Sequence, residues 1–262
     1  MESRELLEKY TKRVIIALDV DSLEKARPLI ENLSSKALCF KVGLELLTAV
    51  GAPKVVDFIH NLGGKVFYDG KFNDIPNTVG QAAKAVATMK VKIFNVHAST
   101  GQKSIEAAVA NRGDSLVLGV TVLTSIDDEE CVSIFGAKPG PKVLQFSRML
   151  LAAKANGIIC SPQELELLSC HDDFGGMMKV TPGVRPAWAA VNDQKRVMTP
   201  GQAIQAGATA LVIGRPITNP PKGIGSPVDV LERINQEIME VERNKASRDL
   251  DGGFYTFDPQ KS

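Results

Sequence analysis

Short apolar runs recur along the chain, and each is followed by a segment whose apolar residues are spaced as on one face of a helix. The runs are continuous rather than alternating, which is typical of strands buried on both faces of a parallel sheet. Eight parallel strands that alternate with helices over about 250 residues predict a closed (β/α)8 barrel, the TIM-barrel fold of the α/β class. The runs are RVIIALDV, ALCFKVG, GKVFYDGK, VKIFNVHA, LVLGVTVL, NGIICSP, MMKVTPGV and ALVIGRPI.

An open, doubly wound sheet is the alternative for alternating strands and helices. That fold binds nucleotides at a Gly-x-Gly-x-x-Gly turn after a strand, and the sequence contains no such turn. No linker or shift in composition divides the chain. We therefore expect a single barrel domain over residues 1–241, which begins with a helix from Glu2 to Lys12.

The last segment, residues 242–262, has no strand partner in this scheme. It is either a disordered tail or a segment that packs back on the barrel through Phe254, Tyr255 and Phe257. Terminal segments are mobile unless other contacts hold them, so a disordered tail is the expectation.

Composition and charge exclude several classes of function. The 262 residues are 44% hydrophobic and include 31 basic and 30 acidic side chains, which gives a formal net charge of +1. There is no basic stripe for nucleic acid, and no apolar run is long enough to cross a membrane. The first residues are charged and amphipathic, unlike a signal peptide, so a cytoplasmic protein is expected.

Neither disulfides nor a metal site are indicated. The cysteines lack Cys-x-x-Cys spacing and lie in or beside apolar segments, as reduced buried thiols do. The histidines are too widely spaced for a histidine-rich metal site. These residues are Cys39, Cys131, Cys160, Cys170, His60, His97 and His171.

Polar side chains stand at the ends of the predicted strands. Barrels of this kind place their active sites at the carboxyl ends of the strands, so these side chains should meet at one mouth. Alternating charges are costly to bury there, which favours a functional role over a purely stabilising one. In chain order, the residues are Asp19, Lys41, Asp69, Lys71, His97, Thr124 and Arg215.

The stretch from Lys65 to Thr78, KVFYDGKFNDIPNT, is the richest in candidate chemistry. Residues two apart on a strand share a face, so Asp69 and Lys71 should point the same way. Asp74 follows in the loop that Ile75-Pro76 begins. A lone Asp-x-Lys pair is more often a structural ion pair at a strand end, but the full triple favours a site.

The last two strands carry features of a phosphate site. Gly214-Arg215 would let a backbone amide approach an anion while the guanidinium clamps it. Loop seven, TPGVRPAWAAVNDQKRVMTP, contributes Arg185 and Gln194. It is either a solvated connection or a lid over a phosphorylated ligand.

Two further residues near the mouth have both a structural and a functional interpretation. A single histidine at a strand end, such as His97, is more often a hydrogen-bonded structural residue than a catalytic base. Cys160 can line the mouth, but nothing in its sequence context marks the thiol as a nucleophile.

Taken together, these motifs resemble the bacterial type of orotidine 5'-phosphate decarboxylase. The resemblance covers about residues 13–235. It rests on DGKFNDIPNT (Asp69–Thr78) together with ALDV, FKVG, NVHA, TVLTS, TPGVRP and VIGRPI, which all occur in the family's order.

The resemblance implies a homodimeric barrel that decarboxylates orotidine monophosphate to uridine monophosphate without a cofactor or metal, the last step of pyrimidine nucleotide synthesis. Lys71 would be the proton donor, in a catalytic array with Lys41, Asp69 and Asp74. The other implied substrate contacts are Asp19 and Lys41 for the ribose hydroxyls, Thr124 for the pyrimidine, and Arg185, Gln194, Gly214 and Arg215 for the phosphate. Ile75, Thr78 and Pro182 are further implied contacts. Asp74 and Thr78 would reach into the neighbouring subunit's site.

Two departures and two rival functions accompany this resemblance. Gly70 stands where a larger apolar residue is usual, and it should loosen the packing against the helices; the tail is also longer than expected. One rival is a magnesium-dependent sugar-phosphate decarboxylase or aldolase-type lyase, which would need a carboxylate where Lys41 stands. The other is an inactive barrel that only binds a nucleotide or a partner.

Overall fold

The computed structural model of the protein describes residues 12–189 and 198–251. Its eight strands close into a barrel in chain order, and each is parallel to its neighbours. The predicted (β/α)8 barrel is therefore confirmed. The strands are β1 Val14–Ala17, β2 Cys39–Val42, β3 Val66–Phe72, β4 Ile93–His97, β5 Leu116–Val120, β6 Gly157–Ile159, β7 Met178–Thr181 and β8 Ala210–Ile213.

Helices alternate with the strands and surround them. Polar caps fix several of their first turns: Ser22 accepts a hydrogen bond from the Lys25 amide, and Asp127 accepts one from the Glu130 amide. The helices are α1 Leu23–Leu33, α2 Leu44–Val50, α3 Ala52–Asn61, α4 Pro76–Thr88, α5 Gln102–Ala110, α6 Asp128–Phe135, α7 Pro139–Ala152, α8 Leu165–Ser169, α9 Pro200–Gln205, α10 Arg215–Thr218 and α11 Pro227–Asp251.

The core has two layers, one inside the barrel and one between the strands and the helices. Neighbouring residues of one strand enter different layers; Ile15 faces the interior cluster, and Val14 and Ile16 face the outer one. Both faces of each strand are thus buried in apolar surroundings. This explains why the strands read as continuous apolar runs.

The last helix, α11, continues past residue 241 to Asp251. Arg13 Nη1 lies 3.1 Å from Glu242 Oε1, which joins this helix to the segment before β1. The expected division at residue 241 therefore falls within a helix. Residues 1–11 of the expected leading helix and residues 252–262, with Phe254, Tyr255 and Phe257, lie outside the described residues. In the described part of the chain, no helix combines the length and apolar character that spanning a membrane requires.

Glu164 caps the short 3-10 helix that follows β6. Its Oε2 accepts a 2.6 Å hydrogen bond from the Ser161 amide. Burial raises the pKa of this carboxyl from 4.5 to about 7, and the Ser161 hydrogen bond only partly offsets the effect. The folded protein therefore holds the Glu164 proton more tightly than the unfolded chain does.

Stability should fall as the pH rises from about 4.5 to about 7, because the unfolded chain then loses the Glu164 proton, and folding must take a proton up again or bury the charged carboxylate. The Glu164→Gln variant keeps an acceptor for Ser161 without the charge. We expect it to be more stable than the wild type at pH 8 by up to about 3 kcal/mol, and equal at pH 4.5. Urea unfolding at the two pH values measures this difference; the same difference at both would contradict the assignment.

Candidate active site

A cavity of about 340 Å³ opens at the carboxyl ends of the strands. Its walls are partly apolar, with Phe67, Val122 and Val212 among the lining side chains. Ligand sites commonly combine such walls with a few convergent polar groups. The structure brings these sequence-predicted residues to the cavity: Asp19, Lys41, Asp69, Lys71, Thr124, Pro182, Arg185, Gly214 and Arg215.

Four charged side chains form a continuous array in this mouth. Lys41 Nζ lies 3.3 Å from Asp19 Oδ1 and 3.1 Å from Asp69 Oδ2. On the other side of the same carboxylate, Lys71 Nζ lies 2.8 Å from Asp69 Oδ1. Carboxylate and ammonium groups therefore alternate from Asp19 to Lys71. The Asp69 side chain is 8% exposed and the Lys71 side chain 32%, so Lys71 is the more accessible partner of this pair.

The array keeps its charges although it is largely buried. Burial raises the pKa of Asp69, but the positive charges of Lys41 and Lys71 outweigh this and hold it below its ordinary value. Burial likewise lowers the pKa of Lys41, and the negative charges of Asp69 and Asp19 more than compensate, so the pKa is raised. Near neutral pH, both groups are therefore ionised.

Strand β3 departs from regular pairing where it delivers Asp69 and Lys71. It advances four residues, from Tyr68 to Phe72, while β4 advances two, from Phe94 to Val96. Lys71 has a φ of +50°, a left-handed backbone conformation that residues other than glycine rarely adopt. Asp69 and Lys71 thus reach the cavity from a local bulge in β3. Regular strand alternation alone does not account for their placement.

Asn95, on β4, belongs to the site and was not predicted from the sequence. Its Nδ2 donates to Asp69 Oδ1 at 2.7 Å, and its Oδ1 accepts from the Lys71 amide at 2.8 Å. It also lines the cavity. The available signal was a polar residue inside the apolar run VKIFNVHA, at the spacing from Ile93 that faces the barrel interior.

Gly70 does not loosen the packing as expected. It does face the outer layer, but a Cβ at this position would lie 2.3 Å from Tyr68 Cε1 and 3.3 Å from Phe72 Cε1. The Tyr68 and Phe72 rings pack side by side there, with centroids 5.8 Å apart. The Tyr68 ring thus fills the space that a side chain at position 70 would occupy.

The same cavity is lined by three of the residues expected to bind phosphate, Arg185, Gly214 and Arg215. Gly214 lies against β1, since a Cβ there would be 3.4 Å from Ala17 Cβ and 3.5 Å from Asp19 Oδ2. Arg215 begins α10, and Arg185 follows Gly183, whose φ is +77°. The Arg185 amide donates to the Met198 carbonyl at 3.0 Å, which joins the two ends of loop seven. Gln194 lies outside the described residues.

Asp74, Ile75 and Thr78 lie apart from the mouth of their own chain. Asp74 and Ile75 line a second, shallow cavity with Thr100 and Ser104, and Thr78 is exposed on α4. The Asp74 amide and carbonyl are held by Thr100, and Asp74 Oδ1 accepts from the Ile75 amide at 2.7 Å. Ile75 is 66% exposed. These residues are therefore presented outward.

His97 and Cys160 have surroundings that favour their neutral forms. Burial and the nearby charge of Lys71 lower the pKa of His97, although Asp69 opposes this. Burial raises the pKa of the Cys160 thiol far above its ordinary value. A protonated, buried thiol is a poor nucleophile, and a neutral imidazole at a strand end fits the architectural interpretation of His97.

The fold and the mouth define an enzyme of the (β/α)8-barrel class that presents alternating ammonium and carboxylate groups to its substrate. Comparison with known proteins narrows the class. The chain belongs to the orotidine 5'-phosphate decarboxylase / HUMPS family, whose model matches residues 12–225. This confirms the resemblance seen in the motifs.

Individual relatives agree with that assignment. An orotidine 5'-phosphate decarboxylase of Syntrophomonas wolfei is 40% identical over 243 residues, covering 87% of this chain and 98% of its own. The corresponding protein of Geotalea uraniireducens is 42% identical, covering 88% of this chain and 96% of its own. The crystal structure of orotidine 5'-phosphate decarboxylase from Lactobacillus acidophilus superposes with a TM-score of 0.73 at 33% identity, covering 87% of this chain and 99% of that one.

Proposed function

We propose that this chain is an orotidine 5'-phosphate decarboxylase, which converts orotidine monophosphate to uridine monophosphate and carbon dioxide in the last step of pyrimidine nucleotide synthesis. The reaction uses no cofactor and no metal, and the enzyme works as a cytoplasmic homodimer. The observation that carries the proposal is the array in the mouth, in which Asp69 separates Lys41 from Lys71 by contacts of 3.1 and 2.8 Å. The names of the relatives support the same activity.

The chemistry requires an electrophile for an electron pair. When the bond between the ring carbon and the carboxylate breaks, carbon dioxide leaves and the pair remains on that carbon. The Lys71 ammonium, whose side chain is 32% exposed and lines the cavity, stabilises this charge and then donates a proton to the carbon. Lys71 becomes a neutral amine and regains its proton from solvent. The transferred hydrogen takes the place of the carboxylate on the ring.

Asp69 and Lys41 prepare Lys71 for this role. Asp69 is ionised and bonded on both oxygens, so it holds the ammonium of Lys71 in position. In the proposed reaction, its charge also repels the departing carboxylate and so destabilises the ground state. The bound phosphate, at Arg185, Gln194, Gly214 and Arg215, supplies remote binding energy that favours closure of loop seven.

The magnesium-dependent rival is disfavoured by the donor set. Lys41 Nζ lies between Asp19 and Asp69, at 3.3 and 3.1 Å from their oxygens, so an ammonium takes the position that a cation would need. A hard divalent cation requires oxygen ligands and is repelled by this lysine. Turnover should therefore survive treatment with EDTA.

The direct test is loss of orotidine monophosphate absorbance with the purified protein. Turnover that EDTA leaves unchanged supports the proposal. Turnover abolished by EDTA and restored by magnesium favours the rival lyase. Tight binding of uridine monophosphate without any turnover favours a barrel that only binds nucleotides.

Arg215→Ala should weaken binding of the phosphate group. We expect the affinity for uridine monophosphate to fall about 10- to 100-fold, because a charge-assisted hydrogen bond is lost. Affinity for uridine, which lacks the phosphate, should hardly change. Isothermal titration with both ligands measures this, with Arg233→Ala, at an exposed position of α11, as a control. Equal losses for the two ligands would contradict a phosphate role.

A further inference from the structure

One buried amide connects the two groups that the proposed reaction depends on. Asn95 is 1% exposed, and its side chain forms one hydrogen bond to Asp69 Oδ1 and one to the Lys71 amide. The two bonds use opposite ends of the amide, which fixes its orientation, since a backbone N–H needs the oxygen and a carboxylate needs the NH2 group.

The position of Asn95 coincides with the irregular part of β3. Between the pairs Tyr68–Phe94 and Phe72–Val96, β3 has two more residues than β4, and Asn95 is the β4 residue at this gap. A bulge leaves extra backbone groups without a ladder partner. The Asn95 oxygen provides that partner for Lys71, whose φ of +50° turns its amide out of regular pairing.

The same amide also fixes the carboxylate. Asp69 Oδ1 accepts from both Asn95 Nδ2, at 2.7 Å, and Lys71 Nζ, at 2.8 Å. Lys71 is thus held at its backbone by Asn95 directly, and at its ammonium through Asp69. Because the amide is neutral, it does this without changing the alternation of charges along the array.

We propose that Asn95 is a positioning residue for the decarboxylation, which sets the place of the Lys71 ammonium through the bulge of β3 and through Asp69. The inference rests on the proposed function. Asn95 itself does not transfer a proton. Its contribution is to hold the donor where the electron pair develops, and small displacements of a catalytic group have large effects on rate.

The Asn95→Ala variant separates positioning from binding. We expect kcat to fall about 100-fold while affinity for uridine monophosphate, which is determined mainly by the phosphate end, stays within about threefold. Asn156→Ala is the matched control, because the Asn156 Oδ1 likewise accepts from a strand amide, that of Val117, at 2.9 Å but before β6. It should lose stability and keep its kcat.

The Asn95→Asp variant provides a rescue that a merely structural role would not show. Ionised, the new carboxylate repels Asp69; protonated, it can donate to Asp69 and accept from the Lys71 amide, as asparagine does. The ratio of its kcat to that of the wild type should therefore rise as the pH falls from 8 to 5. For Asn95→Ala, the ratio should stay flat.

Several results would overturn the inference. They are a wild-type kcat in Asn95→Ala, equal kcat losses in Asn95→Ala and Asn156→Ala, or a flat ratio for Asn95→Asp. Absence of orotidine monophosphate turnover in the wild type would instead overturn the proposed function. In that case crystal structures of the wild type and of Asn95→Asp at pH 8 still decide the positioning role, since Asp69 and the Lys71 ammonium at unchanged places in the barrel would contradict it.

Discussion

Lys71→Ala is expected to reduce turnover of orotidine monophosphate by at least about 10,000-fold, because it removes both the charge that stabilises the electron pair and the proton that quenches it. Asp69 would keep its bonds to Lys41 and Asn95, so the rest of the mouth should stay in place. Affinity for uridine monophosphate, which lacks the departing carboxylate, should change less than about tenfold. Initial rates and titration calorimetry on the same preparation measure the two effects.

Two variants make this result interpretable. Lys71→Met retains the apolar stem of the side chain and should be as inactive as alanine, which separates loss of charge from loss of packing. Lys84→Ala, on the exposed face of α4, should be fully active. Substantial turnover by Lys71→Ala, with the circular dichroism of the wild type, would refute the assignment of Lys71 as proton donor.

The barrel was predictable because the sequence of each strand reflects its burial on both faces. Ile15 and Ile16 are adjacent and both fully buried, one inside the barrel and one under the helices, so β1 reads as an unbroken apolar run. Helix α11 was less visible. It contains few apolar positions per turn, and its contacts, such as that between Arg13 and Glu242, join the two ends of the chain.

The charged array was predictable for a similar reason, since barrel topology brings all strand ends to one mouth. Asp19, Lys41, Asp69 and Lys71 could therefore be grouped from their order alone. Asn95 could not be assigned, because its role depends on how β3 is displaced against β4, and that register is set by packing between strands. The Tyr68 ring beside Gly70 is likewise a consequence of tertiary packing.

A dimer with shared sites is expected to regain activity when Lys71→Ala and Asp74→Ala chains are paired. Asp74 and Thr78 lie outside the mouth of their own chain, and exposed Ile75 adjoins them, as expected of residues that serve a neighbouring subunit. In a twofold dimer, one site of the mixed pair would combine the intact Lys71 of one chain with the intact Asp74 of the other. Heterodimers isolated with two affinity tags should show about half of the wild-type kcat per dimer.

The reciprocal pairing distinguishes shared from self-contained sites. A chain carrying both Lys71→Ala and Asp74→Ala, paired with a wild-type chain, has no complete site if Asp74 acts across the interface, since each mouth then lacks one of the two groups. If each subunit were complete in itself, this heterodimer would retain half of the activity and the first would have none. The two pairings carry the same substitutions in a different distribution, so differences in folding or in subunit exchange cannot produce opposite results. Activity in the second pairing without activity in the first would therefore refute a shared site.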